Sequence, residues 1–213
     1  MDAQLGLRER KKARTRRAIS EAAIALFLER GYDAVPVAEI AEAAEVSKRT
    51  LFAYFPTKDD LVLHRFADHE DEAARVVRAR FAGETPLEAL HRHQRAALER
   101  RDPITGLCDV PAVVAFHRLV AETPTLRSAL LHYHARSVDA LTSALLETTD
   151  GVAHQELTAR LGASQVLTVL QELANTNQRR INEGRSADEL ASLALAEADH
   201  AFDLLRNGLA PYA

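Results

Sequence analysis

Val37-Ala38-Glu39-Ile40-Ala41-Glu42-Ala43-Ala44-Glu45-Val46-Ser47-Lys48-Arg49-Thr50-Leu51-Phe52-Ala53-Tyr54-Phe55-Pro56-Thr57-Lys58 is the stretch on which the fold turns. Val37, Ile40, Ala41 and Ala44 recur at i, i+3, i+4 and i+7, which puts them on one face of a short helix. Pro36 suits the opening turn of that helix. After Glu45-Val46, Ser47 is placed to cap a third short helix, which turns Leu51 and Phe55 inward and ends at Pro56. Two short helices, roughly 37–44 and 48–54, joined by a tight turn have the layout of a helix-turn-helix. Lys48, Arg49, Thr50, Ala53 and Tyr54 are left facing outward. Lysine and arginine at such a helix start can reach guanine O6 and N7, and a threonine methyl can meet a thymine methyl. The helix N-terminus at Ser47 favours a phosphate. Tyr54 and Lys58 carry polar tips suited to phosphate oxygens, which position a protein without reading sequence. From periodicity alone, a merely solvated polar face remains the competing reading.

Working outward, a first helix is predicted from about Arg8 to Arg30, with Ile19, Ala23, Leu26 and Phe27 in one apolar stripe and Gly31 just past its end. Downstream, Thr57 is placed to cap a fourth, longer helix reaching about Phe81. Beyond Gly83, Thr85-Pro86-Leu87-Glu88 and Ser186-Ala187-Asp188-Glu189 read as capping boxes. Asp102-Pro103 through Gly106 breaks the chain. Further helices are predicted from Pro111 to Val120, from Thr123-Pro124 to Leu146, from about Gln155 to Asn182 and from about 187 to 206, with a loop at Thr148–Val152. No stretch sustains period-two alternation, so the fold class is all-α, with about nine helices.

Charge is distributed unevenly. The chain has 27 basic and 31 acidic residues, a formal net charge of −4. Residues 1–58 nevertheless carry +3 and the remainder −7, and residues 1–17 hold seven cations against Asp2 and Glu9. A basic head on an acidic body suits a polyanion held at one end, although a solvated basic arm would have the same composition. Cys108 is the single cysteine, which excludes an intrachain disulfide and a thiolate cluster. Residues 1–17 lack an apolar h-region and no apolar run is long enough to cross a bilayer, so a cytoplasmic location and no membrane partner are expected.

Gly31-Tyr32-Asp33-Ala34, Val37-Ala38-Glu39-Ile40-Ala41, Ala44-Glu45-Val46-Ser47 and Thr50–Leu61 together closely resemble the DNA-binding domain of the tetracycline-repressor (TetR) family, over about residues 13–61. The resemblance implies an N-terminal basic arm and three-helix DNA-binding domain over 1–57, then a helical ligand-binding and dimerisation domain over 58–213. By position it implies that Lys48, Arg49, Thr50 and Ala53 lie at or near base edges. It places Tyr54 and Lys58 at phosphates, with Thr15 or Arg16 of the first helix as additions. Three positions depart from the family pattern: Pro36 replaces a threonine cap, Glu45 the usual turn glycine, and Phe52 a common tyrosine.

The resemblance further implies homodimerisation through the last two long helices, about 155–182 and 187–206. The first offers Leu157, Leu161, Val166, Leu167, Val169, Leu170 and Leu173, and the second Leu190, Leu193, Leu195, Phe202 and Leu205, which is more apolar surface than one stripe requires. A pocket for an unidentified small-molecule effector is implied among the middle helices, where Phe66, Phe81, His93, Phe116, His117, Tyr133 and His134 mix apolar bulk with polar tips. A satisfied core histidine or tyrosine is the plainer reading of each. His91/His93 and His132/His134 are spaced by two, so neither pair converges on one ion; no metal and no cofactor are expected. The sequence has no Gly-rich phosphate loop, no G-x-S-x-G elbow and no H-E-x-x-H pair. Asp68, Glu70, Asp71 and Glu72 read as solvent-facing charges, so an enzyme is not indicated. The expectation is a repressor that leaves a palindromic operator in double-stranded DNA when an effector binds and the fourth helix tilts. The alternatives are a corepressor-dependent regulator and a ligand-blind architectural DNA-binding protein.

Overall fold

A computed structural model describes residues 6–148 and 154–208. The described chain is built from α1 (Leu7–Arg30), α2 (Val37–Ala43), α3 (Lys48–Tyr54), α4 (Asp60–Leu63), α5 (Glu72–Arg78), α6 (Pro86–Glu99), α7 (Pro111–Glu122), α8 (Pro124–Leu146), α9 (Gln155–Asn182) and α10 (Ala187–Asn207). Two 310 turns, His64–His69 and Pro103–Thr105, interrupt them, and no strand occurs among the described residues. Because α4 is a single turn, nine longer helices carry the all-α architecture that the periodicity predicts. Both capping boxes form: Thr85 N donates to Glu88 Oε2 at 2.8 Å, Ser186 N to Glu189 Oε2 at 3.2 Å, and each hydroxyl accepts in return. The predicted loop after Thr148 lies outside the described residues.

The chain divides into two compact units. The first comprises the described residues up to Ala67 together with Ala115–Leu130. Its core joins Ile19, Ala23, Ile24 and Phe27 of α1 to Ile40 and Ala41 of α2 and to Leu51 and Phe55 around α3. Leu61 and Val62, then Phe116, Val120 and Leu126, complete it. The core therefore continues past the 57/58 division expected from sequence. In the second unit, Asp68–Val114 with the described residues from Leu131 on, one cluster joins α5, α6, α8, α9 and α10 around Leu141 and Phe202. Another gathers Leu98, Leu107, Ile181 and Leu190.

The long fourth helix expected from Thr57 to Phe81 is not formed. It is replaced by α4, a 310 turn and α5, with a break at Glu70-Asp71. Asp68, Glu70, Asp71 and Glu72 crowd four carboxylates into one turn, where like charges at i, i+3 and i+4 disfavour a helix. Arg75 then supports the break, donating from Nη2 to the Asp68 carbonyl at 2.6 Å and from Nε to Asp71 at 2.9 Å. A backbone acceptor released from the helix ladder is thereby satisfied. Thr57 does cap: its backbone N and hydroxyl both donate to Asp60 Oδ2, and its Oγ1 accepts from Asp60 N at 3.2 Å.

The 310 turn at Pro103–Thr105 docks on α9, with Asn177 Nδ2 donating to the Thr105 carbonyl at 3.0 Å. Gly106 follows at φ +71, and a Cβ built there would stand 2.1 Å from the Ala174 carbonyl oxygen. Close approach and left-handed backbone both require glycine here.

Candidate nucleic-acid interface

The order of residues in α3 sorts its surface. Leu51 and Phe55 are fully buried, and as an i, i+4 pair they fix the rotation of the helix on the head. Lys48, Arg49, Phe52 and Ala53 are consequently exposed, and Thr50 and Tyr54 half-buried. Ser47 holds the helix start: its Oγ accepts from Thr50 N at 3.0 Å and pairs with Thr50 Oγ1 at 2.8 Å. The Thr50 hydroxyl is thus engaged by the cap.

The turn before α3 is ordered in an unusual way. Glu45 adopts φ +53, a left-handed conformation that normally goes to glycine. Its N–H bonds to the Glu42 carbonyl and that of Val46 to the Ala41 carbonyl, both at 2.9 Å. These two bonds make a complete Schellman motif, with glutamate at the glycine position. At Pro36 the N-cap has no side-chain hydrogen bond, as expected from a residue with no cap oxygen.

Two supporting residues flank Phe55. The Arg16 guanidinium carbon lies 5.1 Å from the centre of its ring, and the His64 ring meets it edge-on at 5.5 Å. Arg16 Nε is buried without a hydrogen-bond partner, so its orientation comes from the aromatic face. Thr15, beside it, is half-buried.

Lys58, assigned to a phosphate by its place in the motif, is engaged within the head. Its Nζ donates to the Tyr32 carbonyl at 2.5 Å and lies 4.3 Å from the Tyr32 ring centre and 5.3 Å from that of Phe27. Desolvation lowers its pKa. Tyr32 in turn donates to Asp59, and burial together with that bond pushes its phenol pKa upward. Lys58 thus ties the α1–α2 turn to the end of α3.

The seven effector-pocket candidates are divided between the two units. Phe66 and Phe116 meet in the first unit at 5.7 Å, and His117 lies beside Phe116, its pKa lowered by burial. In the second unit, His93 Nε2 lies 3.2 Å from Glu72 Oε1, and Tyr133, whose pKa burial raises, feels the Glu70 and Glu72 charges. Phe81 is 65% exposed, with Arg92 stacked 4.4 Å from its ring centre. His134 is half-buried.

Glu72 corrects its reading as a solvent-facing charge. It is half-buried, with Oε2 2.8 Å from His69 Nδ1 in addition to the His93 contact. Burial raises its pKa, but the two histidines outweigh this and hold it at about 2, while the Glu72 bond raises that of His69. The i, i+3 spacing of His69 and Glu72 was the available signal; the remote partner His93 was not legible from spacing.

Residues 19–64 match the family described as "Bacterial regulatory proteins, tetR family". The chain is 39% identical over 127 residues, 59% of its length, to the HTH-type transcriptional regulator TcmR of Streptomyces glaucescens, and spans 56% of that protein. It is 34% identical over 91 residues, 42% of its length and 44% of the relative's, to the HTH-type transcriptional repressor KstR of Mycolicibacterium smegmatis. The chain thus spans about half the length of these curated relatives. Among solved structures it is similar to native NalD of Pseudomonas aeruginosa, with TM-score 0.57 and 17% identity over 89% of this chain and 97% of that one. That likeness establishes the fold across both units. Through residues 19–64 the chain is similar to the tetR family of bacterial regulatory proteins.

Proposed function

We propose that this protein is a sequence-specific transcriptional regulator, a homodimeric repressor that leaves a palindromic operator when a small molecule binds its helical body. The exposed row Lys48, Arg49 and Ala53, presented by a helix locked through Leu51 and Phe55, carries the reading. Bidentate donation from Arg49 to a guanine edge is the base contact of greatest consequence. Lys48, Thr50 and Ala53 complete the base-facing surface. Ser47, Tyr54, Thr15 and Arg16 serve the backbone, and Lys58 would have to leave Tyr32 to join them.

The dimer reading draws support from α9 and α10. Leu157, Leu161 and Leu193 stay 59%, 51% and 42% exposed, while the opposite sides of both helices pack inward through Val166, Leu190 and Phe202. Helices apolar on two sides favour a second copy as partner. Two recognition helices then read half-sites about one DNA turn apart, roughly 34–36 Å, or a multiple of it. For the effector, FadR of Bacillus subtilis, a fold neighbour, was solved in complex with stearoyl-CoA; this supports a small molecule as the class of effector and names none for this chain. A coupling of about 1–3 kcal/mol changes operator affinity roughly 5–150-fold.

Selection of bound duplexes from a random pool tests the reading. The expected result is a palindromic site, bound by the dimer and released by a compound from a metabolite library. Arg49→Ala should weaken that site by about 1–3 kcal/mol and relax preference at one base pair of each half-site. Failure to enrich any sequence, with binding that depends on salt alone, would indicate an architectural protein instead. Tighter binding on ligand addition would indicate a corepressor.

A further inference from the structure

We infer that the N-terminal overhang of α1 is a second DNA-binding surface, a basic helix lying along phosphates outside the base pairs read by α3. The inference rests on the regulator reading above. Among the described side chains of α1, apolar burial begins only at Ile19. Before it, every described side chain from Glu9 to Arg14 is exposed, and only Thr15 and Arg16 are half-covered. The helix nevertheless starts at Leu7. From Glu9 to Arg14, roughly 9 Å of helix at 1.5 Å per residue, no side chain reaches the core.

This overhang is cationic and unpaired. Arg10, Lys11, Lys12, Arg14 and Arg17 are exposed, and among the described residues none of their side chains makes a hydrogen bond or ion pair. Glu9 is the single acidic residue in the segment from Leu7 to Arg17. Cations at i and i+4, such as Arg10 with Arg14 and Lys12 with Arg16, repel one another on an isolated helix. Neither packing nor internal pairing accounts for such a segment, and a polyanion supplies the missing counter-charge.

Helical phase gives the overhang a direction. Lys12 lies one turn before Arg16 on the same face, and Arg16 rests on Phe55, the residue after Tyr54. The Lys12–Arg16 row therefore continues from the end of α3 that is assigned to phosphates. Arg10, Arg14 and Arg17, at i, i+4 and i+7, form a second row beside it. Duplex DNA offers a phosphate charge every 1.7 Å of axis, so a rod of this length meets several.

The test compares the full chain with a Lys11→Gln, Lys12→Gln, Arg14→Gln triple variant on the selected operator. None of the three side chains touches the core, so the melting temperature should not change. On a long duplex the slope of log affinity against log salt should become shallower by about 0.9 per lost contact, or about 2–3 for each bound protomer. Trimming the flanks from the duplex should weaken the parent protein and leave the variant unaffected. Equal slopes, or equal sensitivity to trimming, would overturn the inference while leaving the regulator reading intact. A change in oligomeric mass with an unchanged slope would overturn it too, and would assign the overhang to the acidic body of a second copy. A parent protein that binds no duplex would refute both readings.

Discussion

Replacing Glu45 with glycine should stabilise this protein, and the size of the gain follows from the turn it occupies. Glu45 stands at φ +53 with both Schellman hydrogen bonds made, so its conformation is imposed by the motif. A Cβ in left-handed backbone costs about 1–2 kcal/mol. Glycine relieves that strain but frees the unfolded chain, which takes back about 0.4–1 kcal/mol. The net gain should be on the order of 0.5–1 kcal/mol, or about 1–4 °C in a chain of this size. The motif itself uses only backbone groups and remains intact.

Thermal and urea unfolding followed by far-UV circular dichroism would measure the gain, with Glu45→Ala as the necessary control. Alanine deletes the carboxylate and keeps the Cβ, so it should bring no such gain. Asparagine, which tolerates left-handed backbone better than most residues, should fall between them. DNA binding separates the two effects again, because glycine and alanine both remove an anion beside the recognition helix. Both variants should therefore bind all duplexes more tightly, and by similar amounts. A Glu45→Gly protein no more stable than Glu45→Ala would refute the strain assignment.

Lys58→Ala should lose the bond to the Tyr32 carbonyl and the cation–π contact, destabilising the head by about 1–2 kcal/mol with an unchanged salt slope. An unchanged melting temperature with a slope reduced by about 1 would return Lys58 to a phosphate role. The Glu72 cluster should produce pH dependence of stability on two sides. Glu72, depressed to about 2, contributes stability that is present above its ordinary value of 4.5 and lost as pH falls through about 2. His69, raised above 6.5, contributes stability that is full below 6.5 and lost as pH rises through its folded value. Glu72→Gln should flatten both limbs of a melting temperature–pH profile, and an unaltered profile would remove the cluster from the account. Gly106→Ala should cost about 2–5 kcal/mol from overpacking and left-handed strain, read by urea unfolding. A cost below about 1 kcal/mol would show that the 310 turn can shift from α9 freely.

Periodicity and capping made most of the fold legible. Ile19, Ala23 and Phe27 on α1, and Leu51 with Phe55, were readable because i, i+4 spacing is a local property. The Thr85 and Ser186 boxes were readable because their partners lie three residues away. What was not legible was non-local or competitive. The break at 64–71 arises where helix propensity loses to carboxylate crowding and to Arg75, whose capture of a main-chain carbonyl leaves no mark on periodicity. Lys58 follows Pro56-Thr57 as a phosphate-binding residue should, yet its ammonium finds a nearer acceptor on Tyr32, 26 residues away. A separation of 21 residues likewise hid His93 from Glu72. The outward face of α3 was legible because burying two residues of a seven-residue helix determines where the others point.

The cations of the head divide by what their neighbours leave them free to do. On α3 only Lys48 and Arg49 are charged positively, with Glu42 and Glu45 exposed just before them and Lys58 engaged internally. A recognition helix with so little net charge gains discrimination from geometry but little general attraction to DNA, since attraction follows the number of phosphates neutralised. The overhang of α1 has the opposite character: five exposed cations, no rigid base-facing geometry and one acidic neighbour. Discrimination and attraction would then reside on different helices of one unit, joined where Arg16 rests on Phe55. Arg49→Ala should consequently lower the ratio of operator to non-specific binding while preserving the salt slope of non-specific binding. The Lys11/Lys12/Arg14 variant should lower both affinities together and leave their ratio nearly unchanged. If the overhang variant instead lost discrimination, base reading would have to extend beyond α3, and the separation of roles would be wrong.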